Sequence, residues 1–338
     1  MRQRKIVIGS RDSRLAVAQT NLIIQQLRQV QPEICIELVT LKTTGDRILD
    51  KPLTSIGGKG LFVKELDHAL LKGKIDLAVH SLKDMPMEQN PELPIAAYSK
   101  RGDPRDALVL ADGLQEEDIR VIGTSSPRRR VQLEKLFPSV AVESVRGNLQ
   151  TRLAKLDGGG YSALVLAAAG LERMGLSDRV HRVFSVEEML PAAGQGILAV
   201  QCRWDYDRSL LEEINDAASE AAALAERGFV AALGGGCTAP VAAYARLDGT
   251  VLHLAGLYAD ENGSLRRGTV TGVAAEAQEC GFRLAKQLQE ADGCNRERFG
   301  LLGQARGTRG CSPSRERRCW SRPMWLFMTG WSGKAFCG

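Results

Sequence analysis

The chain has 338 residues, of which 44% are hydrophobic and 25% are charged, a length that allows two or three globular domains with cores of their own. No apolar run approaches the roughly 20 residues that span a bilayer, so we predict no transmembrane helix. The net charge of +5 does not indicate nucleic-acid binding. Residues 301–338 carry seven basic residues and one acidic residue, a net of +6, so the other 300 residues sum to −1.

Strand and helix patterns alternate from the N-terminus to about residue 203. A first unit is predicted with strands at 4–9, 34–41 and 75–80 and helices at 13–31 and 60–73. After a linker at 101–106 the pattern restarts in a second unit that ends at about residue 191, with predicted strands at 107–110, 120–123, 140–144 and 163–168 and helices at 126–137 and 148–157. A further buried strand is predicted at 197–203. This βαβ alternation predicts parallel sheets.

The character of the sequence changes near residue 217. An alanine-rich helix is predicted at 218–232, followed by the glycine loop LGGGCTAP at 233–240. Strands at 241–246, 250–258 and 265–271 and a helix at 274–290 come next, which predicts a small α+β domain.

Residues 301–338 are unlike the rest of the chain. They hold three of the eight cysteines and three of the four tryptophans, and they show no sustained helix or strand period. We predict that this tail is disordered, and we hypothesise an altered C-terminus, such as one produced by a change of reading frame.

The cysteines show no CxxC pair and no metal-ligand spacing, so we predict no metal site. Cys237 stands out because three glycines precede it and leave room beside its sulfur. Its residue type alone leaves three interpretations open: a small buried hydrophobic side chain, a nucleophile or a point of covalent attachment.

Polar side chains follow several of the predicted strands. Lys83 and Asp84 come after the strand at 75–80, and Thr124, Ser125 and Ser126 come between a strand and a helix. Because ligands bind at the carboxyl ends of strands in open α/β sheets, we expect an anion site here. It would also use the arginines of these loops: Arg11, Arg128, Arg129, Arg146 and Arg152. Solvated helix faces for the arginines, and a structural ion pair for Asp84, are the alternatives.

Ten segments of the chain occur together in one order. They are GSRDSRLAVAQ, TTGDRILDKPL, IGGKGLFVKEL, DLAVHSLKDMP, RGDPRDALV, IGTSSPRRR, SVRGNLQTRLAKL, LAAAGLERMG, LPAAGQGILAVQCR and LGGGCTAP. Together they resemble the porphobilinogen deaminase family, also called hydroxymethylbilane synthases, from about residue 4 to about residue 290. The closing helix and short tail of that family are not recognisable after about residue 293.

The resemblance implies an α/β fold with two lobes like those of periplasmic binding proteins, plus a small α+β C-terminal domain. Residues 1–100 and 196–216 would form the first domain, residues 101–195 the second and residues 217–300 the third, which carries the cysteine loop. Residues 301–338 would lie outside the family architecture.

The resemblance also implies the chemistry of the site. A dipyrromethane cofactor would be held on Cys237 by a thioether, and four porphobilinogens would be added to it head to tail with loss of ammonia. Water would then release hydroxymethylbilane, a step of tetrapyrrole (haem and porphyrin) biosynthesis. Asp84 would be the catalytic residue, stabilising the azafulvene cation that forms when ammonia leaves.

The remaining site residues are also carried over from the family. The cofactor would be bound by Lys83, Asp84, Ser125, Ser126, Arg128, Arg129, Arg146 and Gly147. The substrate would be bound by Arg11, Ser13, Thr124, Arg152, Arg173 and Gln195. Lys59 and Asp46 would belong to a mobile lid formed by residues 43–60.

The sequence and its resemblance together predict which partners the chain binds and where it is located. We expect a monomer in the cytoplasm that binds the small molecule porphobilinogen, and neither nucleic acid nor membrane. A non-enzymatic two-lobed anion-binding protein is the main alternative, since it would use the arginines but would need neither Cys237 nor Asp84. A nucleic-acid-binding protein is less favoured because aromatic residues make up only 5% of the chain.

Overall fold

The computed structural model describes residues 5–43, 63–235, 239–260 and 263–303, with backbone only for residues 291–303. Residues Met1–Gly293 group as one compact unit and Cys294–Gly338 as a second unit. Among the described residues, no helix is both long enough and apolar enough to cross a membrane. The predictions for Cys237, Lys59, Asp46 and most of the tail fall outside the described residues.

Helices and strands are numbered here in chain order among the described residues. Before the linker they are β1 (Lys5–Arg11), α1 (Arg14–Val30), β2 (Cys35–Leu41), α2 (Lys64–Leu71), β3 (Leu77–Ser81) and β4 (Ile95–Tyr98). The next part contains β5 (Asp106–Leu110), β6 (Val121–Gly123), α3 (Pro127–Leu136), β7 (Ala141–Glu143), α4 (Leu149–Asp157), β8 (Ala163–Ala167), α5 (Ala168–Arg173) and β9 (Arg182–Val183). The last part contains β10 (Leu198–Cys202), α6 (Ser209–Glu212), α7 (Ala217–Ala232), β11 (Val241–Asp248), β12 (Val251–Ala259), β13 (Leu265–Val273) and α8 (Ala277–Gly303).

The first lobe is built on a sheet with strand order β2-β1-β3-β10-β4. Helix α1 begins where the hydroxyl of Ser13 accepts a hydrogen bond from the Ala16 amide (3.3 Å), which satisfies an otherwise unpaired donor. Its apolar positions recur at helical spacing, so Ile23 and Leu27 are buried against the sheet. The predicted helix at 13–31 is therefore confirmed.

The second lobe repeats this arrangement with strand order β7-β6-β8-β5-β9. In both lobes three neighbouring strands are parallel, as predicted, but the other two strands run antiparallel to their neighbours. The parallel pairing predicted for the strands at 4–9, 34–41 and 75–80 is therefore confirmed, and antiparallel strands extend the sheet beside them. Strand β10 enters the first sheet after the chain has passed through the second lobe, so the βαβ periodicity does not determine its direction.

A third, antiparallel sheet of β11, β12 and β13 forms the small α+β part. Helices α7 and α8 contribute Phe229 and Leu284 to its core, together with Leu254 of the sheet. Gly256 lies where a Cβ would be 2.5 Å from the Phe229 ring, so only glycine allows this packing distance. The prediction of two α/β lobes and a small α+β domain is confirmed, and the last helix is longer than the predicted 274–290.

The contact between α7 and α8 gives a test of this packing. A Cβ on Gly281 would overlap the backbone carbonyl of Ala225, and backbone cannot move aside as a flexible side chain can. We expect Gly281→Ala to lower the free energy of unfolding by about 1–3 kcal/mol in urea denaturation.

Gly170→Ala is the matched control because Gly170 also lies in a helix, but its Cβ would have ordinary contact with Leu15 at 3.7 Å. This control should be neutral or stabilising by up to ~1 kcal/mol. Equal effects of the two substitutions would contradict the close helix contact.

Candidate active site

A cavity of about 1010 Å³ is lined by both lobes and by residues that flank the cysteine loop. Its size is at the upper end for small-molecule sites. Among the described residues, its lining contains nine basic side chains and two carboxylates. The basic ones are Arg11, Arg14, Lys42, Lys83, Arg128, Arg129, Arg146, Arg152 and Arg173, and the carboxylates are Asp12 and Asp84. This excess of positive charge suits a ligand with several carboxylates.

The cavity brings together most of the residues predicted from sequence. Besides the basic residues, it is lined by Ser13, Asp84, Ser125, Ser126, Gly147 and Gln195. They come from the loops that follow β1, β3 and β6 and from the loops before α4 and β10. Because the carboxyl ends of parallel strands meet at one edge of each sheet, residues far apart in sequence converge there.

The start of helix α3 shows how the serine cluster is held. Ser126 caps the helix, since its hydroxyl accepts from the Arg129 amide (3.4 Å), and the Ser125 hydroxyl donates to the Val145 carbonyl (2.6 Å). Thr124 is only 1% exposed, and its hydroxyl accepts from the Ser126 amide (3.3 Å). The structure therefore places Thr124 behind the cavity wall, where it supports Ser126 from within.

Arg128 and Arg129 are buried at 4% and 5% exposure, so the interpretation of a solvated helix face does not hold for them. Both pair with Asp106, which is fully buried: Arg128 Nη1 is 2.7 Å from Oδ2, and Arg129 Nη2 is 2.7 Å from Oδ1. Burial alone would raise the pKa of Asp106, but the two guanidiniums outweigh it and hold that pKa well below its usual range. Asp106 is therefore charged at every working pH.

Lys83 lies beside Asp84 in the single 3-10 turn that follows β3. Its Nζ donates to Gln195 Oε1 over 3.3 Å. Burial lowers the pKa of Lys83 to about 8, although the neighbouring carboxylate of Asp84 opposes this shift. A proton on Lys83 is therefore held less tightly than on an exposed lysine.

Gln195 lies between two glycines whose backbone conformation other residues rarely adopt. Gly194 and Gly196 have φ values of +73° and +92°, and a Cβ on Gly196 would be 2.6 Å from the Gly102 carbonyl oxygen. Gly102 belongs to the crossing from the first lobe to the second, so this tight backbone contact brings the two crossings between the lobes together. The side chain of Gln195 is thereby fixed at the cavity wall.

Arg101 and Glu226 connect this crossing to helix α7. Arg101 Nη1 is 2.6 Å from Glu226 Oε1, and Arg101 Nε donates to the Gln195 carbonyl (2.9 Å). Glu226 is fully buried and also accepts from the Gly194 and Ala245 amides (2.6 and 2.7 Å). Both oxygens of this carboxylate therefore accept hydrogen bonds, as a buried charge requires.

Two further arginines in the wall are held by backbone. Arg152 Nε donates to the Gly147 carbonyl (2.8 Å), and Arg173 Nη2 donates to the Gly196 carbonyl (2.5 Å). Burial lowers the pKa of Arg152 to about 10, and the positive charge of Arg129 acts in the same direction. Both side chains therefore project from fixed positions on the second lobe, which favours specific rather than diffuse binding of anions.

Residues 236–238 of the cysteine loop, which include Cys237, lie outside the described residues. The residues on either side of this loop are described. Ala239, two residues after the cysteine, lines the cavity, and so do Val230 and Val241.

One buried donor of the wall has no partner in the part of the chain that the structure describes. The Nε of Arg128 makes no hydrogen bond among the described residues. An acceptor oxygen of a bound carboxylate would satisfy this donor.

Two polar residues of the site, one in the cavity wall and one behind it, have no signature in the local sequence. Asp106 falls at the end of the predicted linker at 101–106, and nothing in RGDPRD distinguishes its buried carboxylate from the partly exposed Asp103. Gln19 falls inside the predicted helix at 13–31, yet its Oε1 accepts a hydrogen bond from the Ser81 hydroxyl (2.9 Å) and its side chain lines the cavity. Their partners are distant in sequence, so no local pattern could have identified them.

The fold and cavity define a two-lobed α/β protein with a strongly cationic cavity and a small α+β part beside it. Residues 6–211 match the family model "Porphobilinogen deaminase, dipyromethane cofactor binding domain", and residues 221–290 match "Porphobilinogen deaminase, C-terminal domain". The porphobilinogen deaminase of Acetivibrio thermocellus is 53% identical over 285 residues, which cover 84% of this chain and 98% of the relative. That of Nostoc sp. is 44% identical over 85% of this chain and 92% of its own length.

Solved structures similar to this chain include two substrate-binding proteins. The periplasmic sulfonate-binding protein SsuA from Methylobacillus flagellatus KT has 16% identity and a TM-score of 0.37, covering 65% of this chain and 68% of that one. The methionine-binding protein MetQ has 12% identity and a TM-score of 0.40, covering 62% of this chain and 88% of that one.

The chain belongs to the porphobilinogen deaminase family, whose members are transferases also called hydroxymethylbilane synthases. The chain has porphobilinogen deaminase activity, which belongs to tetrapyrrole biosynthesis, and its cofactor is dipyrromethane.

The shifted pKa of Lys83 gives a direct test of the site's electrostatics. We expect Lys83 to lose its proton with a midpoint near pH 8, because burial disfavours the charged ammonium. Trace labelling with acetic anhydride between about pH 6 and 11, followed by peptide mapping, measures this midpoint. Lys74, an exposed lysine of the first lobe, is the internal reference. A Lys83 midpoint near the ordinary lysine value of about 10.4 would contradict the lowered pKa.

Proposed function

We propose that the cavity between the lobes holds the dipyrromethane cofactor and the growing chain of porphobilinogen units, and that the cofactor is attached through the sulfur of Cys237. The nine basic side chains against two carboxylates are the observation that carries this proposal. The lining position of Ala239 supports it, because a cysteine two residues away is within reach of the same space.

The residues present fit such a cofactor. Its carboxylates match the arginines of the wall, and the unpaired Nε of Arg128 supplies a buried donor for one of them. When bound, dipyrromethane supplies the free pyrrole carbon at which new porphobilinogen units are joined. Arg128, Arg129, Arg146, Ser125, Ser126 and Lys83, with the Gly147 backbone, would hold it.

Binding of the incoming porphobilinogen would use the other cationic groups of the wall. Each porphobilinogen carries an acetate and a propionate, so each added unit brings two further negative charges that need basic partners. Arg11, Arg152 and Arg173 would bind these carboxylates, with Ser13 and Gln195 as hydrogen-bonding groups and Thr124 supporting the serines. Gln19 and Lys42, also in the wall, lie near the same space.

Asp84 would perform the catalytic role. Breaking the bond between the methylene carbon of porphobilinogen and its amine, with a proton taken up by the leaving ammonia, leaves a cation on the substrate. The Asp84 carboxylate would accept a hydrogen bond from the pyrrole N–H and stabilise that positive charge, in a wall otherwise dominated by positive groups. Lys83 would hold a proton at Nζ at neutral pH, beside the Asp84 side chain.

The same proposal covers organisation and setting. We assign residues 1–100 and 196–216 to the first domain, 101–195 to the second and 217–300 to the third, with Lys59 and Asp46 in a lid over the cavity. We further propose that the protein is a cytoplasmic monomer that binds neither nucleic acid nor membrane. The separate cores of the three sheets support the division into domains.

The role of Asp84 is tested by Asp84→Asn. This change keeps the size of the side chain but removes the negative charge, so we expect turnover of porphobilinogen to fall by at least about 100-fold. The mass of the purified variant should still include the cofactor. Glu88→Gln is the matched control: it makes the same change of charge four residues away, on an exposed side chain that does not line the cavity. Activity of Asp84→Asn within about threefold of Glu88→Gln would remove Asp84 from the mechanism.

A further inference from the structure

Asp106 is fully buried at the start of β5 and is not itself part of the cavity lining. Its carboxylate nevertheless contacts three side chains that are. Oδ2 accepts from Arg128 Nη1 (2.7 Å), while Oδ1 accepts from Arg129 Nη2 (2.7 Å), Arg129 Nε (3.1 Å) and Gln195 Nε2 (2.9 Å). One carboxylate behind the wall thus fixes three groups within it.

Each guanidinium also donates to a backbone carbonyl. Arg128 Nη1 also donates to the Leu190 carbonyl (2.7 Å), and Arg129 Nη1 donates to the Val165 carbonyl (2.9 Å). Neither arginine can turn without losing an ion pair and a backbone hydrogen bond. The orientation of the remaining N–H groups toward a bound carboxylate is therefore set from behind.

Gln195 extends the influence of Asp106 to Lys83. The amide nitrogen of Gln195 donates to Asp106 and to the Pro104 carbonyl (2.7 Å), which leaves its Oε1 to accept from Lys83 Nζ. The charged groups that act on Lys83 are Asp84, Asp106, Arg128 and Arg129. Lys83 and the adjacent Asp84 on the first lobe are thereby linked to β5 on the second.

Buried ion clusters of this kind are costly to desolvate and contribute little net stability compared with apolar packing. A cluster placed directly behind a binding wall is therefore better explained by the geometry that it imposes on that wall.

We propose that Asp106 is a positioning residue for this reaction. It acts on bound carboxylates through Arg128 and Arg129, and on Lys83 through Gln195, without touching the substrate. This inference rests on the proposed function of the cavity.

The test compares Asp106→Asn with Asp103→Asn in the cofactor-loaded full chain. Asp103 lies three residues earlier and also pairs with an arginine, Arg105 (2.7 Å), but that pair is exposed and outside the cavity lining. We expect Asp106→Asn to lower kcat for porphobilinogen by about 10- to 100-fold, the range for loss of a charge-assisted hydrogen bond. KM should change by less than about threefold, because the positive charges that attract carboxylates are all retained.

A pH profile separates positioning from a merely structural role. Asp106 raises the pKa of Lys83, so removal of its charge should move the Lys83 labelling midpoint to lower pH, while Asp106→Glu should restore that midpoint even where it restores little activity. Gln195→Met is a second variant for the case that Asp106→Asn does not fold. It breaks the link to Lys83, leaves both ion pairs of Asp106 in place, and should move the midpoint in the same direction.

The possible outcomes are distinct. If the folded variants at Asp106 and Gln195 show the wild-type kcat and the wild-type Lys83 midpoint, the positioning role is wrong. A lowered thermal stability with both quantities unchanged overturns it equally. If the wild-type chain itself consumes no porphobilinogen, the proposed function fails, and that result is independent of any variant.

Discussion

Two buried guanidiniums share one buried carboxylate behind the cavity, and the cavity depends on this group of charges. Arg128 and Arg129 can be buried only because Asp106 compensates them, and Asp106 can be ionised there only because they surround it. The wall thus presents fixed cationic groups with their counterion on the inner side. A ligand that brings carboxylates meets donors already oriented, so little of its binding energy is lost in ordering them.

A second buried carboxylate plays a comparable part on the other side of Gln195. Glu226, from helix α7, binds the Gly194 amide and pairs with Arg101, which in turn holds the Gln195 carbonyl. Asp106 binds the Gln195 side chain and Glu226 fixes its backbone. The crossing between the lobes, the start of β5 and the helix before the cysteine loop therefore meet at a single glutamine. Rigid positioning at this point is consistent with chemistry that repeats at one site on a lengthening chain.

The sequence could predict what depends on local pattern. The cap at Ser13, the helical period of α1 and the restart of the βαβ pattern after the linker all follow from neighbouring residues, and the structure has them. The loops that form the site could be predicted for the same reason, because the carboxyl ends of the strands converge.

The direction of β10 could not be predicted from local pattern, since it depends on where the chain returns to the first sheet. The burial of Arg128 and Arg129 did not follow either: three consecutive arginines are typical of a solvated helix, and only Arg130, paired with Glu134 at the surface, fits that description.

In the proposed function, the cationic cavity acts on a cofactor that is held by Cys237. The most direct measurement is the intact mass of the purified chain, followed by peptide mapping of the segment around residues 233–240. The mass should exceed that calculated for the sequence by one dipyrromethane, with the addition on Cys237. A preparation that converts porphobilinogen while Cys237 is unmodified, or one that carries the addition on any of the other seven cysteines, would contradict this attachment.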